Sequence, residues 1–327
     1  MCIRDRIYGV GEYFISTAAL SRMLGNWFQS HLGVVTGIVM AASGVGGSAL
    51  SLVLSGIMES AGWRASLLFA AGLLAAVAVM IFFVMKDRPE ELGLQPYHDP
   101  ERRGAAHKPK KVAAPWAGVP MQVLLKKPYF YLTMIGMMLA TIASNGVYSA
   151  VVPHLQDRGL SAAYAAKMLS LMLVLLAVDK IVLGMLADRF GAHFSTLLCV
   201  LFTFSGIVVL TLVKNEWQAV IAVVLLSVSV CLNGFIQPLL AAEIFGRSAY
   251  NTTLGIMMAM LSVGGLLSSP LVNFSFDATG SYTRILIVLA VIAAVDALFL
   301  LPAFHAEARY RRELEASGQL SDAGPET

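Results

Sequence analysis

The sequence predicts an all-α membrane protein, a bundle of about nine transmembrane helices, and three observations carry that prediction. The chain is 57% hydrophobic and only 13% charged, about half the charge of an ordinary soluble domain. Its apolar residues gather into nine runs, each near the roughly 20 residues that an α-helix needs to cross a bilayer. One of those runs recurs later in the chain, and this internal duplication sets how the helices group.

In chain order the runs are 7–28, 33–58, 65–85, 128–152, 163–187, 193–213, 217–242, 252–275 and 284–304. The leading hexamer, Met1 to Arg6, has no signal-peptide pattern and reads as a truncated start ahead of the first span. Shifting the second run by 218 positions lays Gly37, Ile38, Met40 and Ala41 on Gly255, Ile256, Met258 and Ala259. The same shift lays Val45, Gly46 and Gly47 on Val263, Gly264 and Gly265, Glu59 on Asp277, and Gly62 on Gly280. An acid followed three residues later by glycine appears again at Asp188 and Gly191, after the middle run of another triplet. The nine helices therefore read as three groups of three, 7–85, 128–213 and 217–304. Subtracting 218 from the middle group gives positions before residue 1, so a partner of about three preceding helices is expected.

Between the third and fourth runs lies Lys86 to Lys127, the one long polar stretch, which carries nine Lys and Arg, among them Arg102, Arg103, Lys108, Lys110 and Lys111. The positive-inside rule makes this linker cytoplasmic. The expected organisation is a partial N-terminal half over 1–85, the linker over 86–127, a six-helix half over 128–304 and a cytoplasmic tail over 305–327. A net charge of +3 with basic residues confined to loops argues against a nucleic-acid partner. Cys2, Cys199 and Cys231 have no paired spacing that would indicate a metal site or a disulfide framework. No protease, hydrolase or phosphate-loop motif occurs, so the reading is not an enzyme, and no cofactor is implied.

The run with the most chemistry is Met168 to Gly191, in which the adjacent charges Asp179 and Lys180 interrupt a membrane-length apolar stretch that ends on Asp188, Arg189 and Gly191. Ionisable groups at bilayer depth cost a few kcal/mol or more each, which makes a functional site the default hypothesis. Lys180 lies eight residues before Asp188, about 12 Å along a helix and so near the midplane. A partly desolvated ammonium there attracts a carboxylate or another small anion. Asp179 is turned about 100° from Lys180; it fits a neighbouring-helix partner or a coupling proton. The blander readings are mutual neutralisation of the two charges, or snorkelling of Lys180.

Arg22 stands less than two turns from the end of the first run and admits a substrate role or a structural ion pair; Glu12 lies near the other membrane face of that run. Asn145 and Tyr148 on the fourth run, and Asn233 with Gln237 at i, i+4 on the seventh, mark polar faces that line a cavity or join helices. His154 reads as an interfacial residue, and Asp296 as a structural one. Gly184, Asp188, Arg189 and Gly191 read as a latch. Glycine allows close helix approach, and a carboxylate at a helix C-terminal end opposes that helix's dipole, so Asp188 needs a partner elsewhere, either the N-terminus of a neighbouring helix or an arginine.

Taken in order, these motifs resemble the major facilitator superfamily. Arg22, Trp27-Phe28 and Gly37-Ile38 are similar to the family's fourth-to-fifth helix junction, and Gly62-Trp63-Arg64 to the start of its sixth helix. Lys86 to Leu94 resembles the opening of the central loop, and Gly184 to Gly191 the Gly-x-x-x-Asp-Arg-x-Gly signature between helices eight and nine. Glu243 to Gly246 and Asp277 to Tyr282 resemble the ends of helices ten and eleven. The turn Gln29 to Gly33 departs from the family's arginine-rich pattern, and the first three helices have no counterpart here.

The resemblance implies helices 4–12 of a twelve-helix transporter fold, with substrate bound near the midplane between two halves that rock against each other. Within the family the monocarboxylate and oxalate/formate branch is most similar, and it uses a cation at the Lys180 position for organic anions. The function so implied is secondary transport of a small organic anion across a bacterial inner membrane, coupled to protons, by a monomer in the lipid bilayer. The alternatives are a carrier of neutral or cationic solutes, and a non-transporting sensor or scaffold with the same fold.

Overall fold

In the computed structural model the residues described are 17–28, 31–86, 89–95, 97 and 118–316. They form helices α1 (Thr17–Trp27), α2 (Leu32–Val84), α3 (Met121–Leu124), α4 (Pro128–Asp157), α5 (Ala162–Phe190), α6 (Ala192–Thr211), α7 (Glu216–Val230), α8 (Ile236–Thr279) and α9 (Tyr282–Ala316), with a 3₁₀ turn at Pro89–Leu92. No strand occurs among them; the one β-type contact is an isolated bridge between Phe28 and Tyr97. Six segments are long and apolar enough to cross a membrane, and Leu32–Ala42, Glu216–Val230 and Ile236–Gly246 are shorter apolar helices. The protein is a multi-pass, all-α membrane protein.

The sequence explains where the helices bend. α2 merges two expected runs and kinks at Gly62, whose φ is 82°. The seventh run, expected as one span, is interrupted over Cys231–Phe235, between α7 and α8. Gly234 there has φ 89°, a conformation open to glycine and costly to other residues. Pro238 then sits in the first turn of α8, where its missing N–H has no intrahelical partner to lose. α8 bends once more at Gly246, φ 70°.

Two buried clusters stack along the 118–316 bundle. One gathers Leu124, Tyr129, Phe130, Met137, Phe235, Phe245 and Leu300; the other gathers Val147, Val151, Leu155, Ile207, Leu210, Leu226 and Leu289. The second cluster's end is fastened by His154, whose Nε2 meets the Leu210 carbonyl at 3.1 Å, and by Arg158, which donates to the Thr211 carbonyl at 2.7 Å. His154 is buried; the α6 carbonyl engages its Nε2, while Nδ1 has no hydrogen-bond partner among the described residues. By contrast, none of the most apolar stretch of Gly56–Val84 is buried within the protein. Phe82 and Phe83 are 79% and 74% exposed, which suits lipid rather than water.

Tertiary contacts fix which loops share an end. Trp27 Nε1 donates to the Lys86 carbonyl at 3.0 Å, and the Tyr97 amide donates to the Trp27 carbonyl at 2.8 Å. Lys127 lies 3.8 Å over the Tyr310 ring. The start of the linker, the end of α1, the start of α4 and the end of α9 therefore pair at the linker side. Arg102, Arg103, Lys108, Lys110, Lys111 and Glu12 lie outside the described residues.

Candidate functional site

α5 supplies both the charges and the latch, and the structure directs them to different neighbours. The Asp188 carboxylate accepts from the backbone amides of Gly33 at 2.8 Å and Val34 at 2.9 Å. It thus caps the N-terminus of α2, where unpaired amides and the positive dipole end favour an anion. The N-cap residue itself, His31, makes no side-chain cap bond, so Asp188 supplies the cap from another helix. Gly33 and Gly184 lie back to back: a methyl group on either would collide with the other's carbonyl oxygen. This is the partner expected for Asp188, and it is formed by backbone atoms.

The turn after Asp188 is equally constrained. Gly191 has φ 93° and ψ 159°, a region essentially reserved for glycine, and a Cβ there would lie 2.7 Å from Glu243 Oε1. Glu243 Oε2 accepts from the Ala192 amide, capping α6. Its other oxygen meets His193 Nδ1 at 2.5 Å, and His193 Nε2 lies 3.6 Å from Glu307 Oε2. A cavity of about 470 Å³ opens beside this trio, lined by His193, Glu243, Phe304, His305, Glu307, Ala308, Arg311 and Arg312. Arg189 is exposed and lies 5.3 Å from the Phe190 ring centroid.

Two turns deeper, Lys180 and Asp179 point apart. Lys180 Nζ donates to the Met40 carbonyl of α2 at 3.1 Å. Asp179 is partly buried, and its Oδ2 has no hydrogen-bond partner among the described residues. Cys231, at the break between α7 and α8, lies within electrostatic reach of both charges. The pair does not neutralise itself; each charge has its own surroundings.

The amides converge at the same break. Asn233 Nδ2 donates to Asn145 Oδ1 at 2.7 Å, and Asn233 Oδ1 accepts from Ser144 Oγ at 3.2 Å. Within Cys231–Phe235 only Asn233 is partly exposed; Asn145, Tyr148 and Lys180 are also partly exposed. Gly265 of α8 faces Asn145, and a Cβ there would lie 3.4 Å from its Nδ2, an ordinary contact. Gln237, one turn further on, is fully buried with both amide atoms unpaired. Asp296 is likewise buried, 1% exposed, with both oxygens unpaired, and packs toward the close approach at Gly136. The side chain of Arg22 lies outside the described residues, although its backbone belongs to α1.

Sequence reasoning thus singled out Lys180, Asp188, Asn145 and Asn233, and the fold gives each a named partner. It passed over Ser144, His193, Glu307 and the Met40 carbonyl, and it treated Glu243 only as part of a motif. A carboxylate closing an apolar run at Glu243 was a visible signal. A backbone carbonyl carries none.

Comparison with known proteins places this geometry in a family. The sequence profile of the Major Facilitator Superfamily matches residues 7–244 and again 134–323. Monocarboxylate transporter 12 of Rattus norvegicus is 26% identical over 302 residues, covering 84% of this chain and 60% of the relative. Monocarboxylate transporter 13 of the same species is 25% identical, covering 86% and 62%. The chain thus spans about 60% of the length of these curated relatives. A crystal structure of the major facilitator transporter FucP in the outward conformation aligns with a TM-score of 0.48 at 14% identity, over 93% of this chain and 90% of that one. With the profile matched along nearly the whole sequence, the chain belongs to the Major Facilitator Superfamily.

Proposed function

We propose that the chain forms the greater part of a secondary carrier for a small organic anion, a monocarboxylate in the first instance, working by alternating access. The carrying observation is the partly buried ammonium of Lys180 at mid-span, close to the helix break that also presents Asn233 and Asn145. Discontinuous helices near the midplane are where such folds bind substrates and coupling ions. Lys180 supplies the charge and the Asn145–Asn233 pair the directional hydrogen bonds; Gln237 and Tyr148 extend the polar wall. Asp179, with an unpaired oxygen, is the proton carrier in this reading.

The bodies that rock are residues 1–85 and 128–304, joined by the 86–127 linker, with linker and tail on the cytoplasmic side of a bacterial inner membrane. Asp188 and the α2 N-terminus then form a latch on that side. The names of the relatives, monocarboxylate transporters 12 and 13, support the anionic substrate. A second reading, a carrier of neutral or cationic solutes, is favoured by the bond from Lys180 to Met40, which gives that ammonium a structural use.

The test is uptake of radiolabelled monocarboxylates by the full-length protein in proteoliposomes. Uptake abolished by Lys180→Ala and retained by substitutions of lipid-facing residues such as Phe82 supports the anion reading. Uptake of a neutral solute unaffected by Lys180→Ala replaces it with the second.

A further inference from the structure

The bond between Lys180 and Met40 has a role that substrate binding alone does not explain. We propose that Lys180 is the innermost fastening of the seam between α2 and α5, so that an anion drawing on its ammonium loosens the gate. This rests on the anion-carrier reading above.

The seam is continuous. Asp188 holds the amides of Gly33 and Val34; the backbones of Gly184 and Gly33 touch; Gly37 lies against the Lys180 carbonyl, 2.5 Å from where its Cβ would be; and Lys180 Nζ reaches the Met40 carbonyl. On α5 the positions 188, 184 and 180 recur every four residues, while on α2 the numbers 33, 37 and 40 rise in the opposite direction. One ridge of each helix therefore meets the other, antiparallel, over about 12 Å. In each of these four contacts the α2 atom is backbone, so they need helical geometry and glycine rather than particular α2 side chains.

The two ends of the seam respond differently to a ligand. Asp188 is an anion bonded to amides, and a second anion gains nothing by approaching it. Lys180 is a cation with three donors, one of them on a neutral carbonyl. A carboxylate adds full charge attraction to its hydrogen bond with the ammonium, so an anion bound on the side away from Met40 draws the ammonium off that carbonyl. A ligand shifts a conformational equilibrium only through its different affinity for the two states. Here the difference is the Met40 bond, present with the seam closed and dispensable with the anion bound. Loss of one such charge-assisted bond corresponds to a roughly tenfold to hundredfold change in the closed-to-open ratio.

Hydrogen–deuterium exchange of the full-length protein in nanodiscs tests this without a ligand. Lys180→Met keeps the side chain's length and removes its donors. The expected result is at least tenfold faster exchange in a peptide covering residues 31–41, with a remote peptide such as 142–155 unchanged. Wild-type protection of 31–41 in folded Lys180→Met overturns the proposal. If that variant does not fold, Gly37→Ala, which forces the same backbones apart without touching the ammonium, must accelerate the same peptide, and its failure to do so is equally decisive. A second arm adds 10 mM L-lactate to the wild-type protein: faster exchange of the 31–41 peptide is expected, and unchanged exchange of that peptide in protein that takes up lactate overturns the loosening by an anion. Faster exchange in Lys180→Met with no carboxylate uptake refutes the anion reading while the seam role stands; uptake with an unchanged seam refutes the seam role alone.

Discussion

Replacing Asp188 by Asn isolates the outer end of the α2–α5 seam with little change in shape. The carboxylate accepts two amide bonds, from Gly33 at 2.8 Å and Val34 at 2.9 Å. Asn keeps one oxygen for one amide and turns its NH₂ toward the other, so one bond is lost, the survivor becomes neutral, and the favourable charge at the α2 N-terminus disappears. A hydrogen bond to a charged group contributes about 1.5–3 kcal/mol, and a charge at a helix terminus about 0.3–1 kcal/mol. Discounting for partial solvent access, the closed seam loses about 2–3 kcal/mol, which at 1.36 kcal/mol per decade is a roughly 30- to 150-fold change in population. The assay is maleimide labelling of a cysteine placed at Val34, which keeps the backbone amide, in otherwise wild-type and Asp188→Asn proteins. Labelling should accelerate by roughly that factor, and an acceleration under about threefold would refute the idea that the carboxylate holds the seam.

Two further outcomes follow from the interior of the 118–316 bundle. Asn145→Ala and Asn233→Ala should each lower thermal stability. A double-mutant cycle should return a coupling of about 0.5–1.5 kcal/mol for their 2.7 Å bond; zero coupling would mean that the two amides do not meet. Asp296 is buried with neither oxygen satisfied, and replacing such a group by an apolar one of similar size is commonly neutral or stabilising. Asp296→Leu should therefore keep the melting temperature and uptake at wild-type levels, whereas a loss of uptake in a stable variant would assign Asp296 to coupling.

Much of this architecture was legible because hydropathy is a property of consecutive residues. The run 163–187 became α5, Ala162–Phe190, since a 20-residue apolar segment in a bilayer must satisfy its own backbone as a helix. Breaks were harder to see. Asn233, Gly234 and Pro238 are turn and breaker residues, but they lie inside an apolar run whose length alone reads as one span, and the local Gly234 conformation overrode it. The Asn233–Gln237 spacing suggested one shared face, yet only Asn233 found partners, on α4, because Asn233 lies in the break and Gln237 in the first turn of α8 rather than on one continuous helix.

By itself the sequence determined the membrane environment and the all-α class, and it required for Asp188 a partner elsewhere, either a helix N-terminus or an arginine. Those follow from local composition, from periodicity and from the cost of an unpaired charge. Tertiary structure decided which partner: amides of Gly33 and Val34 for Asp188, and the Met40 carbonyl for Lys180. Every residue but proline carries the same amide and every residue the same carbonyl, so no residue type marks the ones that will be used. Only the packing of α2 against α5, with glycines at 33, 37 and 184 removing the side chains between them, brings those backbone groups within reach.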